Sequence, residues 1–254
     1  MSLPLSFDLA LETLSLDELR THQDEKLRDL VQYVFRQSDF YHKRLETAGI
    51  VPEEFAGLED VEKLPTICKE DFRLNYPLGM CAVQKHEIRE MHMSSGSTGT
   101  PIIMPYTEND LLQWSICMGR CFRMAGARPG DPVQITPSFG LFNGGFGMYH
   151  GARRAGLFVI PTGSGNTERQ IRLARDLGTK ILGGVVSYGI RIMEVMQELQ
   201  IELPELKIGI FGAETFTEAM KEQVTSRLGI EPFDIYGMTE TGGVGTLGMD
   251  CPAH

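Results

Sequence analysis

Five apolar segments, near 132–136, 157–161, 180–184, 207–211 and 231–235, are each separated by a stretch long enough for one helix, and this rhythm constrains the fold more than any other feature of the sequence. Strands alternating with helices require right-handed crossovers, which build a mainly parallel sheet with helices on both faces. Helix start signals agree with that reading. "TERQ" at 167–170 carries the Thr and Gln of a capping box, with Thr167 as the cap, and Thr217 precedes "EAMKEQVTSRL".

The earlier part of the chain reads differently. Residues 15–48 predict helices that start at Ser15 and stop at Gly49, and "LPTICKEDFRLNYP" (64–77) predicts a proline turn and a short helix. "IREMHM" and "PIIMPY" predict two short strands joined by a loop; Thr107 to Ala125 then predicts a helix capped by Thr107 and stopped by Gly126. The chain therefore divides into a helical lead-in over 1–87 and an α/β nucleotide-binding core over 88–254. The glycine-rich end, "YGMTETGGVGTLGMDCPAH", carries no clear strand or helix signal and is expected to be a functional loop at the edge of a longer protein.

Composition excludes several classes. The 34 acidic and 24 basic residues give a net charge of -10, which opposes nucleic-acid binding in the absence of a basic cluster. No apolar run approaches the roughly 20 residues of a membrane helix. Five cysteines and no secretory segment fit a reduced cytoplasm, and the apolar setting of Cys117 and Cys121 predicts core packing. No G-x-S-x-G elbow of a serine hydrolase occurs.

Four stretches carry polar chemistry. "SSGSTGTP" (94–101) offers hydroxyls and backbone amides to a phosphate but lacks both the lysine and the following helix of a P-loop. Three others fall just past the carboxyl ends of predicted strands, where a parallel sheet holds ligands. In "TPSFGLFNGG" (136–145), Phe139 and Phe142 around Gly140 predict an apolar wall. In "FGAE" (211–214), Gly212 and Ala213 leave room for a flat ring and Glu214 is an acceptor. In "DIYGMTE" (234–240), Tyr236 can stack, Thr239 can bond a phosphate and Glu240 can hold Mg²⁺ through oxygen. Cys251 and His254 have the spacing of half a structural zinc site, against the alternative of an unliganded chain end. His150 reads as a helix-surface histidine rather than a general base.

Taken in order and at these separations, the four stretches resemble the phenylacetate-CoA ligase family of adenylate-forming enzymes, from about Val61 to the last residue. The resemblance implies an acid attacking the α-phosphate of ATP to give an acyl-adenylate, which CoA then converts to a thioester in the cytoplasm, with relatives often forming homodimers. It implies that Ser94, Ser95, Gly96, Ser97, Thr98 and Gly99 wrap the ATP phosphates. Gly212, Ala213, Glu214, Asp234, Ile235, Tyr236, Gly237 and Met238 would surround the nucleotide. Phe139, Gly140 and Phe142, with Gly237, would line the pocket of an aryl acid; Thr239 and Glu240 would serve the α-phosphate and Mg²⁺ as the catalytic pair. Relatives carry Lys where this chain has Thr100, removing a charge-assisted hydrogen bond of about 1.5–3 kcal/mol. The family's ribose-binding Asp and its C-terminal domain with the catalytic Lys would lie beyond His254, so residues 1–254 alone are not expected to turn over. Two alternatives stay open: an adenylating enzyme with an acceptor other than CoA, and a nucleotide-binding module without ligase activity.

Overall fold

The computed structural model describes residues 9–94 and 101–250, which fall into two compact units meeting at Glu108 and Asn109. The first unit begins with α1 (Leu9–Glu12), α2 (Leu16–Gln37) and α3 (Asp39–Thr47). At the start of α2, Ser15 Oγ accepts from the Glu18 amide at 3.3 Å while Glu18 Oε2 accepts from the Ser15 amide at 2.8 Å. Two otherwise orphaned donors are thereby satisfied. Gly49, at φ 69, ends α3, and Ile50 N–H closes the turn on Leu45 O at 3.0 Å. Val31, Leu45, Ile50 and Phe55 form the core beneath these helices. The unit continues with α4 (Lys69–Leu74), tied to α3 by a forked contact of Arg44 with Asp71 at 3.0 and 3.1 Å. It ends with the antiparallel pair β1 (Ile88–Met93) and β2 (Ile103–Thr107). The two strands form a sheet of their own, within the compact unit that runs to Glu108.

The second unit contains α5 (Glu108–Met124), β3 (Pro132–Ile135), α6 (Asn143–Arg154), β4 (Phe158–Ile160), α7 (Thr167–Asp176), β5 (Ile181–Gly184), α8 (Val186–Leu199), β6 (Ile208–Gly212), α9 (Glu218–Leu228), β7 (Glu231–Met238) and β8 (Gly243–Met249). The six-stranded sheet has the order β4-β3-β5-β6-β7-β8, parallel throughout except for β8. The mainly parallel α/β fold read from the apolar rhythm is therefore present. β5 and β6 are buried at every position, because helices cover both faces. The chain runs outward from β3 to β4 and then returns to β5 on the other side of β3. Between β3 and β5, Thr136 Oγ1 donates to Gly183 O at 2.9 Å, and a side chain at Gly184 would meet that hydroxyl at 2.3 Å.

Two sequence expectations need correction. The cap of α7 is Asn166, not Thr167: Asn166, at φ 46, accepts the Arg169 amide at 3.0 Å. Gln170 is no capping partner. It is fully buried and donates to Gly163 O and Gly165 O, each at 2.8 Å. Second, the glycine-rich end contains β8, which returns antiparallel to β7 after a short turn at Thr239–Thr241.

β8 is held by backbone contact more than by its own side chains. Trp114 Nε1–H donates to Val244 O at 2.9 Å. A Cβ on Gly243 would lie 2.6 Å from the Trp114 ring, and one on Gly245 would lie 2.1 Å from Met118 Sδ. On α6, a Cβ on Gly147 would meet Trp114 at 2.3 Å, and one on Gly151 would meet Met118 Cβ at 2.2 Å. Alanine normally stabilises a helix interior over glycine by about 1 kcal/mol. Here Gly147→Ala and Gly151→Ala are expected to act in the opposite sense, lowering stability by about 1–3 kcal/mol through overpacking. Urea denaturation of each variant tests this, and a raised midpoint would contradict the packing described.

Candidate functional site

The loop from Thr136 to Phe142 leaves the carboxyl end of β3 and folds back over the first turn of α6. A Cβ at Gly145 would sit 2.5 Å from Ser138 O and 3.1 Å from Pro137 O, so glycine is needed where loop and helix touch. Gly140 N–H donates to Ser138 Oγ at 3.2 Å, tightening the bend. Phe142, half-exposed, occupies the position before the helix, and Asn143 opens it. From there Asn143 Nδ2–H donates to Thr239 Oγ1 at 3.1 Å. Two of the predicted stretches, "TPSFGLFNGG" and "DIYGMTE", are thereby joined by a side-chain contact.

Phe139 turns inward while Phe142 turns out. Phe139 meets Phe146 edge-on at 5.4 Å and Tyr149 at 6.1 Å between centroids. His150 packs among Trp114 at 6.0 Å, Phe146 at 6.2 Å and Tyr149 at 5.8 Å. It is thus a member of an aromatic row on α6.

Most of "DIYGMTE" lies within a strand, not past one. Asp234, Ile235, Tyr236, Gly237 and Met238 belong to β7, and only Thr239 and Glu240 lie beyond it. Strand alternation turns Asp234, Tyr236 and Met238 to one face and the buried Ile235 to the other. Tyr236 is 60% exposed, leaving its ring face open for stacking. Gly237 has a packing reason to be glycine, since its Cβ would lie 2.1 Å from Gly243 O on β8.

At the end of β6, Ala213 adopts φ 66, a left-handed conformation that non-glycine residues seldom hold. The turn delivers Glu214 to the start of α8, where Oε2 accepts from the Ser187 amide at 3.0 Å and Oε1 accepts from Ser187 Oγ at 2.8 Å. Val185, the residue before α8, makes no side-chain cap, so Glu214 supplies from the neighbouring loop what the local sequence lacks. Sequence reasoning gave Glu214 as an acceptor but did not find Ser187.

A charged cluster surrounds the base of this edge. Asp250 Oδ2 accepts from Lys221 Nζ at 3.0 Å and from the Asp234 amide at 3.1 Å, and Asp250 N–H donates to Asp234 O at 2.9 Å. The hydrogen bond to Asp250 raises the Lys221 pKa. Partial burial, followed by the neighbouring Asp250 charge, raises the pKa of the Asp234 carboxyl.

Ser94 Oγ accepts from Ile102 N–H at 3.0 Å, closing the base of the β1–β2 loop; Ser95, Gly96, Ser97, Thr98, Gly99 and Thr100 lie outside the described residues. Cys251 and His254 do so as well, and among the described residues no three His, Cys, Asp or Glu side chains are grouped to hold a metal. Structural zinc finds no support there. Burial pushes the Cys121 thiol to about 12, consistent with its place in the core. No described helix is long and apolar enough to cross a membrane.

Two outcomes follow. A carboxyl that titrates higher folded than unfolded binds its proton more tightly in the fold, so its ionisation penalises folding as pH rises through that range. Asp234→Asn is expected to raise the denaturation midpoint at about pH 7 and to leave it nearly unchanged at about pH 2, where both states carry the proton. Glu214→Ala is expected to lower stability by about 1–2 kcal/mol through loss of the α8 cap, and an unchanged chemical-denaturation curve would contradict that role.

Comparison with known proteins places this geometry. Residues 22–254 match the model of the AMP-binding enzyme family. The chain is 40% identical over 243 residues to a phenylacetate-coenzyme A ligase of Pseudomonas putida, covering 95% of this chain and 55% of that protein. It is 39% identical over 237 residues to a phenylacetate-coenzyme A ligase of Thermus thermophilus, covering 92% of this chain and 53% of that protein. Among solved structures, a 2-hydroxyisobutyryl-CoA ligase in an open conformation with 2-HIB-AMP and CoA superposes with a TM-score of 0.85 at 26% identity, over 91% of this chain and 56% of that one. The chain thus spans about half the length of the curated relatives it matches. With its parallel sheet, the loop folded over α6 and the Thr-Glu turn beyond β7, it belongs to the AMP-binding enzyme family.

Proposed function

We propose that the chain forms the acid- and nucleotide-binding part of an acid–CoA ligase, which activates an aryl carboxylic acid resembling phenylacetate through an acyl-adenylate and passes the acyl group to CoA. The observation that carries the reading is the Asn143–Thr239 contact at 3.1 Å, because it brings the aromatic loop and the polar turn beyond β7 to one place. Similarity to phenylacetate-coenzyme A ligases from several bacteria supports the choice of acid.

In this reading the acid lies against Phe139, Gly140, Phe142 and Gly237, and the nucleotide against Gly212, Ala213, Glu214, Asp234, Ile235, Tyr236 and Met238. The residues suit a nucleotide: Tyr236 exposes a ring for stacking, and β6 ends in a left-handed turn at Ala213 beside the strand that carries it. The loop at 94–99 is read as phosphate-binding from its hydroxyls and amides. Attack of the carboxylate on the α-phosphorus breaks the bond to the leaving pyrophosphate and builds negative charge on the phosphoryl oxygens, which the Thr239 hydroxyl stabilises as a preorganised donor. Glu240 is the residue to hold Mg²⁺, which commonly takes one or two protein carboxylates and completes its shell with phosphates and water; bound there, it would neutralise charge on the phosphates. The carboxylate nucleophile is ionised at neutral pH, so no general base is required.

Thr100, where relatives carry Lys, favours a second reading as a nucleotide-binding module without ligase activity. Acid-dependent exchange of labelled pyrophosphate into ATP by the full-length protein separates the two. The ligase reading expects exchange with aryl acids above short aliphatic ones, and about a hundredfold loss in Thr239→Val. ATP binding without exchange, across a panel of acids, would establish the second reading instead.

A further inference from the structure

The bond between Asn143 and Thr239 has a direction. The amide nitrogen of Asn143 only donates, so Thr239 Oγ1 accepts, at 3.1 Å, and its own proton is left to be given elsewhere. Among the described residues no acceptor takes that proton. Thr241, in the same turn, is committed locally: its Oγ1 donates to Met238 O at 3.1 Å and accepts from Met238 N–H at 3.3 Å. A hydroxyl that accepts a hydrogen bond also becomes a better donor. Asn143 directly follows Phe142, and Gly145 two positions on is packed against the carbonyls of Pro137 and Ser138, so the amide moves with the aromatic loop.

We infer that Asn143 is a positioning residue that sets the polarity of the Thr239 hydroxyl, so that its proton is offered to the phosphoryl group under attack, and that ties this donor to the loop on which the acid rests. The inference depends on the ligase reading of the same site. Replacing the amide by its acidic isostere is the decisive variant, because a carboxylate would accept the Thr239 proton and repel phosphate. The test compares Asn143→Ala, Asn143→Asp, Thr239→Val and the Asn143→Ala/Thr239→Val pair in the full-length protein. Pyrophosphate exchange, AMP affinity by calorimetry and the unliganded thermal midpoint are measured for each.

Asn143→Ala is expected to lose about tenfold in exchange and Asn143→Asp about a hundredfold, with AMP affinity falling in the same order. Asn143→Ala is expected to add nothing further once Thr239 is valine. A merely structural amide would give the reverse order, since aspartate keeps the shape that alanine removes. Exchange and AMP binding by Asn143→Asp equal to or better than Asn143→Ala would overturn the inference. Should the aspartate variant fail to fold by its thermal midpoint, full additivity in the alanine–valine pair would overturn it equally. Wild-type protein that exchanges with no acid would overturn the ligase reading and this inference together, whereas an active wild type with additive losses would overturn the inference alone.

Discussion

A parallel sheet delivers the carboxyl end of every strand to one edge, and the reversal of order between β3 and β5 opens that edge where the chain departs in two directions. The polar and aromatic features described above are distributed along it. The loop after β3 carries the phenylalanines, the turn after β6 carries Ala213 and Glu214, and the turn after β7 carries Thr239 and Glu240. Residues from two crossovers and one hairpin turn are thus brought to one line by backbone hydrogen bonding alone. Side chains then adjust the final fit: Asn143 bridges the first and third loops, while Glu214 anchors the second to the start of α8.

The far side of that edge depends on a strand with little propensity of its own. β8 carries glycine at three of its seven positions, among Val244, Thr246, Leu247 and Met249, and these weaken its own strand preference. Its place comes from the β7 ladder, from the Trp114 donor and from the absence of side chains where α5 presses against it. Because Gly237 lets β8 approach β7 closely, the same contact also fixes the end of the strand from which Thr239 and Glu240 emerge.

Much of this was readable in the sequence, for physical reasons that also explain the misses. β3, β5 and β6 are covered on both faces and so appear as short apolar runs, within a residue or so of their observed limits. β8 gave no such signal, because its glycines answer to Trp114 and Met118 on a helix more than a hundred positions earlier in the chain. Thr167 and Gln170 had the spacing of a capping box, but nothing in that spacing distinguishes a glutamine bonding its helix from one buried against Gln134. Asn143 stood inside a stretch already singled out, yet no local pattern links it to a threonine 96 positions away. Glu214 was recognised as an acceptor, while its donor on α8 follows a valine that offers no cap.

The glycines beneath Trp114 and Met118 have a consequence for how the sequence can vary. A side chain at position 147 fits only if Trp114 and Val244 both give way, whereas one at position 151 would meet the backbone of Met118 and Gly119, which no side-chain exchange removes, and Gly243 and Gly245 are held as glycine by their positive φ as well. Around position 147 each change is harmful alone, since the first step creates either a clash or a void, and the benefit of the second exists only after the first has been made. Positions 114, 147 and 244 therefore form an epistatic block. Its members must be exchanged in concert, so the sequence neighbourhood accessible by single substitutions is far narrower at this interface than its small residues would suggest.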